Sequence, residues 1–225
     1  MRVSVVIPAL NEEKSVGLVV AAIPRGLCGE IVVVNNGSTD ATAQVAAVAG
    51  ARVVDEPCRG YGAACLKGIA SLAPTDVVVF LDADYSDHPD EMPRVVTPIL
   101  DGRADLVIGS RVLGSRERGA LLPQAYFGNK LATFLIRLLY GVRFTDLGPF
   151  RAIRWDMLQK LRMADRDFGW TVEMQAKAAK MGLRVTEVPV SYRRRVGVSK
   201  ITGTLRGTAL AGWKIIYTIL KCRLE

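Results

Sequence analysis

Two aspartates one residue apart, Asp82 and Asp84, follow directly on the apolar run Val77-Val78-Val79-Phe80-Leu81. A continuous run of β-branched and aromatic residues reads as a strand buried on both faces, the habit of parallel sheets covered by helices. Carboxylates that end such a strand stand at the carboxyl edge of the sheet, where open α/β sheets bind ligands. Oxygen ligands suit hard divalent cations, and Mg²⁺ takes one or two carboxylates together with substrate phosphates. Taken alone, the pair with Ala83 between them fits either a metal–phosphate site or an acidic turn that merely ends the strand.

Three more strand ends carry polar residues. Pro8-Ala9-Leu10-Asn11-Glu12 follows Val3–Ile7, Asn35-Asn36-Gly37-Ser38-Thr39-Asp40 follows Ile31–Val34, and Gly109-Ser110-Arg111 follows Leu106–Ile108. In a doubly wound sheet these ends line one crevice. Asn11 and Glu12 could bond a ribose or base, or simply cap the next helix. The carboxamides of Asn35 and Asn36 match the donors and acceptors of a base edge. Gly60-Tyr61-Gly62 reads either as a phosphate loop or, with more weight, as glycines that allow close backbone packing, with Lys67 near a bound nucleotide.

The elements that must position these residues alternate regularly. After the first strand, Val16, Val19, Val20 and Ile23 recur at helical spacing until Pro24. A helix begins at Ser38-Thr39-Asp40 and closes at Gly50; Arg52–Val54 is a strand and Gly62–Leu72 a helix. The strand Val77–Leu81, a helix opened by Asp90 and the strand Leu106–Ile108 follow. This order predicts a mostly parallel, Rossmann-like α/β sheet flanked by helices. Beyond it come a long apolar stretch, Leu122–Tyr140, helices near Met157–Leu161 and Val172–Met181, and a strand over Leu183–Val190. We expect one domain over residues 1–200 and a helical extension over 201–225. The extension mixes Leu210, Trp213, Ile216 and Tyr217 with Arg206, Lys214 and Lys221, which suits either a helix lying in a membrane interface or one packed on the domain.

Composition narrows the class. Half of the 225 residues are hydrophobic, which excludes a disordered chain, and a net charge of +8 favours a polyanionic partner. Cys28, Cys58, Cys65 and Cys222 form no CxxC pair and His88 is the sole histidine, so a zinc site is not expected and the thiols read as reduced. Pro8 breaks the first apolar run too early for a signal peptide, and no segment reaches the ~20 apolar residues of a membrane span. The expected location is the cytoplasm, with peripheral contact at its membrane face. Nucleic acid is not the expected partner, because two aspartates at the centre of a groove would repel its phosphates.

Together Pro8-Ala9-Leu10-Asn11-Glu12, Asn36-Gly37-Ser38-Thr39-Asp40, Asp82-Ala83-Asp84 and Gly109-Ser110-Arg111 resemble the family 2 glycosyltransferases of the GT-A fold. The likeness is greatest to the dolichyl-phosphate mannose synthase and polyprenyl-phosphate glycosyltransferase branch, and it extends to Tyr192–Lys200. The resemblance implies inverting transfer of a sugar from a nucleotide diphosphate donor (a GDP- or UDP-sugar) with Mg²⁺ or Mn²⁺, the expected acceptor being a polyprenyl or dolichyl phosphate and the alternative a hydroxyl of a glycan or small metabolite. It implies that Pro8, Leu10, Asn11 and Glu12 border the nucleoside with Asn35, Asn36 and Ser38 near it. Asp82 would face ribose or metal, and Asp84 would hold the metal between the donor phosphates. Asp146, ahead of Phe150-Arg151, matches the family's aspartate, as a general base toward a hydroxyl or an orienting group toward a phosphate.

Charge develops on the β-phosphate as the glycosidic bond breaks, so fixed cations assist; Arg193, Arg195 and Lys200 are the candidates. Gln124 falls where the lipid-phosphate branch carries an arginine, ahead of the helix containing Asn129. Gly148-Pro149 replaces the branch's Ser-Gly, which leaves Arg111 and Arg151 as candidate acceptor anchors. Trp170 and Glu173 would either shape the acceptor pocket or serve the core. His88 reads as a turn residue in preference to a group behind the aspartates. A sugar nucleotidyltransferase is the second enzyme reading, but its Gly-rich, Arg-containing loop is missing after the first strand. A non-catalytic nucleotide-binding module is the third.

Overall fold

The computed structural model describes residues 1–197 and 205–224, the side chains of 205–211 excepted. Seven strands form one sheet: β1 (Val3–Ala9), β2 (Glu30–Asn35), β3 (Arg52–Asp55), β4 (Val77–Phe80), β5 (Leu106–Ser110), β6 (Arg151–Arg154) and β7 (Val185–Pro189). Their order across the sheet is β3-β2-β1-β4-β6-β5-β7. The chain winds from β1 out to β3, then returns to set β4 on the other side of β1. That reversal leaves a crevice at the carboxyl ends of β1 and β4.

The helices are α1 (Val16–Ala22), α2 (Thr42–Val48), α3 (Tyr61–Ser71), α4 (Met92–Leu100), α5 (Pro123–Tyr140), α6 (Trp155–Leu161), α7 (Trp170–Lys180) and α8 (Leu205–Leu224). They cover both faces of the sheet, which is why the strands read as unbroken apolar runs. Alternate residues feed two cores. Val5, Ile7, Val77 and Val79 pack with Val19, Val20, Val95 and Ile99, whereas Val6, Val32, Val78 and Phe80 pack with Ala64, Ile136, Trp170 and Val172. Trp170 is a core side chain, buried and edge-on to Phe80 at 5.9 Å between ring centroids.

The sheet departs from the expected order at β6, which runs antiparallel between β4 and β5. Its four residues, Arg-Ala-Ile-Arg, are too few to show a period, and the arginine at each end disguises a buried strand. The fourth strand also ends one residue early, at Phe80, and the helix expected from Asp90 starts as a single 3-10 turn, Pro89–Glu91, before α4. The last strand is shorter than Leu183–Val190.

The described part of the C-terminal extension packs on the domain. Helix α8 lies against α5 and α7, with Thr218, Ile219 and Cys222 buried and the Tyr140 hydroxyl donating to the Ile219 carbonyl at 2.6 Å. Among the described residues no helix is long and apolar enough to cross a membrane.

Candidate active site

The carboxyl ends of β1 and β4 and the start of α3 enclose a cavity of about 320 Å³. Pro8, Ala9, Leu10, Glu12 and Asn36 line one wall; Gly60, Tyr61, Asp82, Ala83, Asp84, Phe168 and Arg195 line the rest. The glycines beside Tyr61 act as close-packing residues. A Cβ on Gly60 would stand 2.2 Å from the Arg166 carbonyl oxygen and one on Gly62 2.1 Å from that of Asp165, so the 165–168 loop can press against α3. Glu173 holds the same loop by accepting from the amides of Ala164 and Asp165. Glu173 thus braces the cavity wall carrying Phe168, beside Asp82 and Asp84, and not the acceptor pocket for which the sequence suggested it.

The two aspartates stand in different surroundings. Asp82 accepts from the Tyr61 hydroxyl at 3.0 Å, and burial together with the nearby Asp84 charge pushes its carboxyl up to about 7. Asp84 accepts from the Ser86 amide at 2.9 Å and meets the Arg195 guanidinium at 2.6 Å. Arg195 arrives because the segment after β7 lies over the aspartate turn: Arg193 N donates to Ser86 O and Val196 N to Asp84 O, both at 2.9 Å. Arg195 also lies 3.8 Å from Glu12. Arg193 turns elsewhere, stacking on Tyr85 at 3.7 Å and donating to the Asp87 carbonyl. Lys200 lies outside the described residues.

A third carboxylate, Asp87, was not singled out in the sequence. It is buried, neither of its oxygens has a hydrogen-bond partner among the described residues, and burial with the Asp82 and Asp84 charges pushes its carboxyl well up. Asp87 is not part of the cavity wall; Asp82 and Asp84 are, and two like-charged carboxylates there are oxygen donors that a divalent cation would relieve. The residues therefore fit such an ion.

Further along the crevice Arg111 and Asp146 close on each other. Arg111 donates from its amide and Nε to one Asp146 oxygen and from Nη2 to the other, all at 2.8 Å. Burial pushes the fully buried Asp146 up, but the Arg111 guanidinium outweighs it and holds the carboxyl below its ordinary range. Glu187 of β7, unremarked in the sequence, accepts from the amides of Thr145 and Asp146. Tyr192 places its ring under the Arg111 guanidinium at 5.0 Å.

Several expected site residues turn out to hold the scaffold. Arg151 is fully buried, donating to the carbonyls of Leu147, Gly148 and Thr171, so it does not face the crevice as an acceptor anchor. Asn129 is also buried, donating to Thr145 O and accepting from Leu147 N, and thus shapes the Asp146 segment. Asn36 lines the cavity, yet its carboxamide donates to Glu56 O and Cys58 O and accepts from Gly60 N, which spends both its donors on the 56–60 loop and leaves it no donor for a base edge. Asn35 bonds Asp55 and the Ser38 amide, and Ser38 accepts from Asn11 N. Asn11 takes a left-handed φ of 53°, a conformation asparagine tolerates, and accepts from the Thr39 amide. Lys67 is exposed on α3 and absent from the cavity wall, one turn too far along the helix. Gln124 is exposed in the first turn of α5. His88 precedes the 3-10 turn, 3.8 Å from Asp90, as a turn residue would.

A carboxylate pair at the switch point of a doubly wound sheet defines a ligand-binding α/β protein. Residues 4–162 match the model of glycosyl transferase family 2, and the chain belongs to that family and is a glycosyltransferase. An uncharacterized glycosyltransferase of Mycobacterium tuberculosis is 41% identical, over 95% of this chain and 97% of its own length. The dolichyl-phosphate hexose transferase of Haloferax volcanii is 34% identical, over 99% of this chain and 96% of its own. Among solved structures, glucosyl-3-phosphoglycerate synthase from Mycobacterium tuberculosis, in complex with Mn²⁺, UDP-glucose and phosphoglyceric acid, superposes with a TM-score of 0.80. It is 28% identical, with 99% of this chain and 79% of that one covered.

Proposed function

We propose that the chain transfers a hexose from a GDP- or UDP-sugar to a polyprenyl or dolichyl phosphate, with inversion at the anomeric carbon. The observation that carries the donor half is the cavity wall itself, where Asp82, Asp84 and Arg195 converge beside Pro8, Leu10 and Glu12. The nucleoside would lie against Pro8, Ala9 and Leu10. Asp82 and Asp84 would hold Mg²⁺ or Mn²⁺, which when bound neutralises charge on the departing diphosphate. Tyr61 keeps Asp82 oriented through its hydroxyl. Arg195 offers a fixed positive charge to the β-phosphate, where negative charge grows as the glycosidic bond breaks.

On the acceptor side the Arg111–Asp146 pair supports a phosphate. Both Asp146 oxygens are engaged by Arg111, which suits a positioning role over proton abstraction. A phosphate is already anionic near neutral pH and needs no base to attack the anomeric carbon. Similarity to the dolichyl-phosphate hexose transferase supports the same acceptor class. The likeness to a synthase that takes phosphoglyceric acid favours a second reading, a hydroxyl on a small phosphorylated acceptor. Incubating the chain with Mn²⁺, labelled UDP- and GDP-hexoses and both undecaprenyl phosphate and phosphoglycerate tests the first against the second. A lipid-linked hexose phosphate of inverted configuration is the expected product; label moving only to phosphoglycerate would replace it with the second.

A further inference from the structure

Helices α5 and α8 carry apolar stripes that nothing in the described fold covers. On α5, Phe127, Leu131, Phe134 and Leu138 are exposed; on α8, Trp213, Tyr217, Leu220 and Leu224 are exposed at the same spacing. Such spacing keeps each set on one side of its helix. Phe127 and Trp213 are each 68% exposed, far beyond what a core helix shows. The two helices adjoin, so the stripes lie on neighbouring elements.

Charge decides what covers them. Neither helix contains an aspartate or glutamate, whereas α5 carries Lys130 and Arg137 and the described side chains of α8 include Lys214 and Arg223. Lys214 is already used, pairing with Asp165 at 3.0 Å and so tying α8 to the loop beside the cavity. The approach to α5 adds exposed Arg116 and Arg118, with Glu117 between them accepting from the Arg194 amide. A second copy of the chain, packing these two helices on their own counterparts about a two-fold axis, would set cationic helices together that carry no acid of their own. An anionic lipid surface offers the cations opposite charge and the stripes an apolar boundary.

We propose that the α5–α8 face docks on an anionic bilayer, both helices lying in its interface. This deepens the lipid-phosphate reading and rests on it for its meaning. Asn129 of α5 holds the Thr145–Leu147 segment, so the docking helix also positions Asp146 and Arg111. A lipid headgroup held at this face would stand on the acceptor side of the crevice.

Sedimentation of the full chain with vesicles tests the proposal without donor or acceptor, so its result is separate from that of any transfer assay. The chain should pellet with mixed phosphatidylcholine–phosphatidylglycerol vesicles, less with phosphatidylcholine alone, and less as salt rises. Its tryptophan emission should shift to the blue on binding, and Trp213→Phe should lose that shift. The combined variant Phe127→Ser, Leu131→Ser, Phe134→Ser, Leu138→Ser should melt like the wild type and partition about tenfold less. Full recovery in the supernatant with no emission shift would overturn the proposal. So would a concentration-dependent dimer abolished by the same variant, which would assign the face to a second copy.

Discussion

At one end of the crevice Asp82, Asp84 and Arg195 face a cavity of about 320 Å³, while at the other Arg111 and Asp146 are closed on each other and braced by Glu187, Thr145 and Asn129. The open end crowds like charges: burial and its neighbour raise Asp82 to about 7, and the buried carboxylate oxygens of Asp87 close behind have no hydrogen-bond partner among the described residues. The closed end pairs opposite charges and depresses Asp146. One end thus keeps neighbouring carboxylates that a cation would relieve even with Arg195 beside Asp84, and the other has its charges paired in advance. Tension of this kind belongs where a ligand binds, and a saturated network belongs where a loop must be held.

The contrast is most exposed to substitution at Asp84. Asp84→Ala removes a carboxylate from the open end and the partner of Arg195, and transfer should fall by about a thousandfold or more, with little loss of stability. Comparable activity in the variant, measured with saturating donor and Mn²⁺, would break the comparison at its first point. At the closed end stability should respond more than at the open one. Asp146→Ala leaves the Arg111 guanidinium without its partner, and denaturant melts should show a loss of about 3–5 kcal/mol.

A smaller effect follows from the direction of the Asp82 shift. Its folded carboxyl binds protons more tightly than the unfolded chain's, so between about pH 4 and 7 the native state holds a proton that the unfolded state has released. Stability should therefore decline as pH rises through that window in chelator-treated protein. Asp87, shifted the same way, contributes the same sign. Asp82→Asn should flatten the decline and raise the melting temperature at pH 8; an unchanged slope would remove the crowding from the account. The smallest effect is expected at Lys67, where Lys67→Ala should alter donor affinity less than twofold and stability by under about 0.5 kcal/mol.

What the sequence made legible follows the same division. The open end is written in local order: an unbroken apolar strand, then carboxylates, repeated as polar ends after β1, β2 and β5. The closed end depends on partners far apart in the chain. Asp146 meets Arg111 thirty-five residues away, and Glu187 reaches Thr145 across forty-two. Such pairings leave no period to read. Arg151 was legible as a charged residue but not as a buried one, because the carbonyls that satisfy it come from a turn and the start of α7. Asn36 likewise showed its chemistry and concealed its partners in the 56–60 loop. Tyr61 could have been noticed as an aromatic hydroxyl between two glycines at a helix start, and Asp87 as a third carboxylate in the same turn as Asp82 and Asp84.

Calorimetric titration of UDP- and GDP-sugars into the wild type and Asp84→Asn, in Mn²⁺ and again in chelator, tests the central claim most directly. We predict saturable binding of one donor class to the wild type that requires Mn²⁺ and disappears in the variant. Binding of equal strength in chelator, or undiminished in Asp84→Asn, would contradict it.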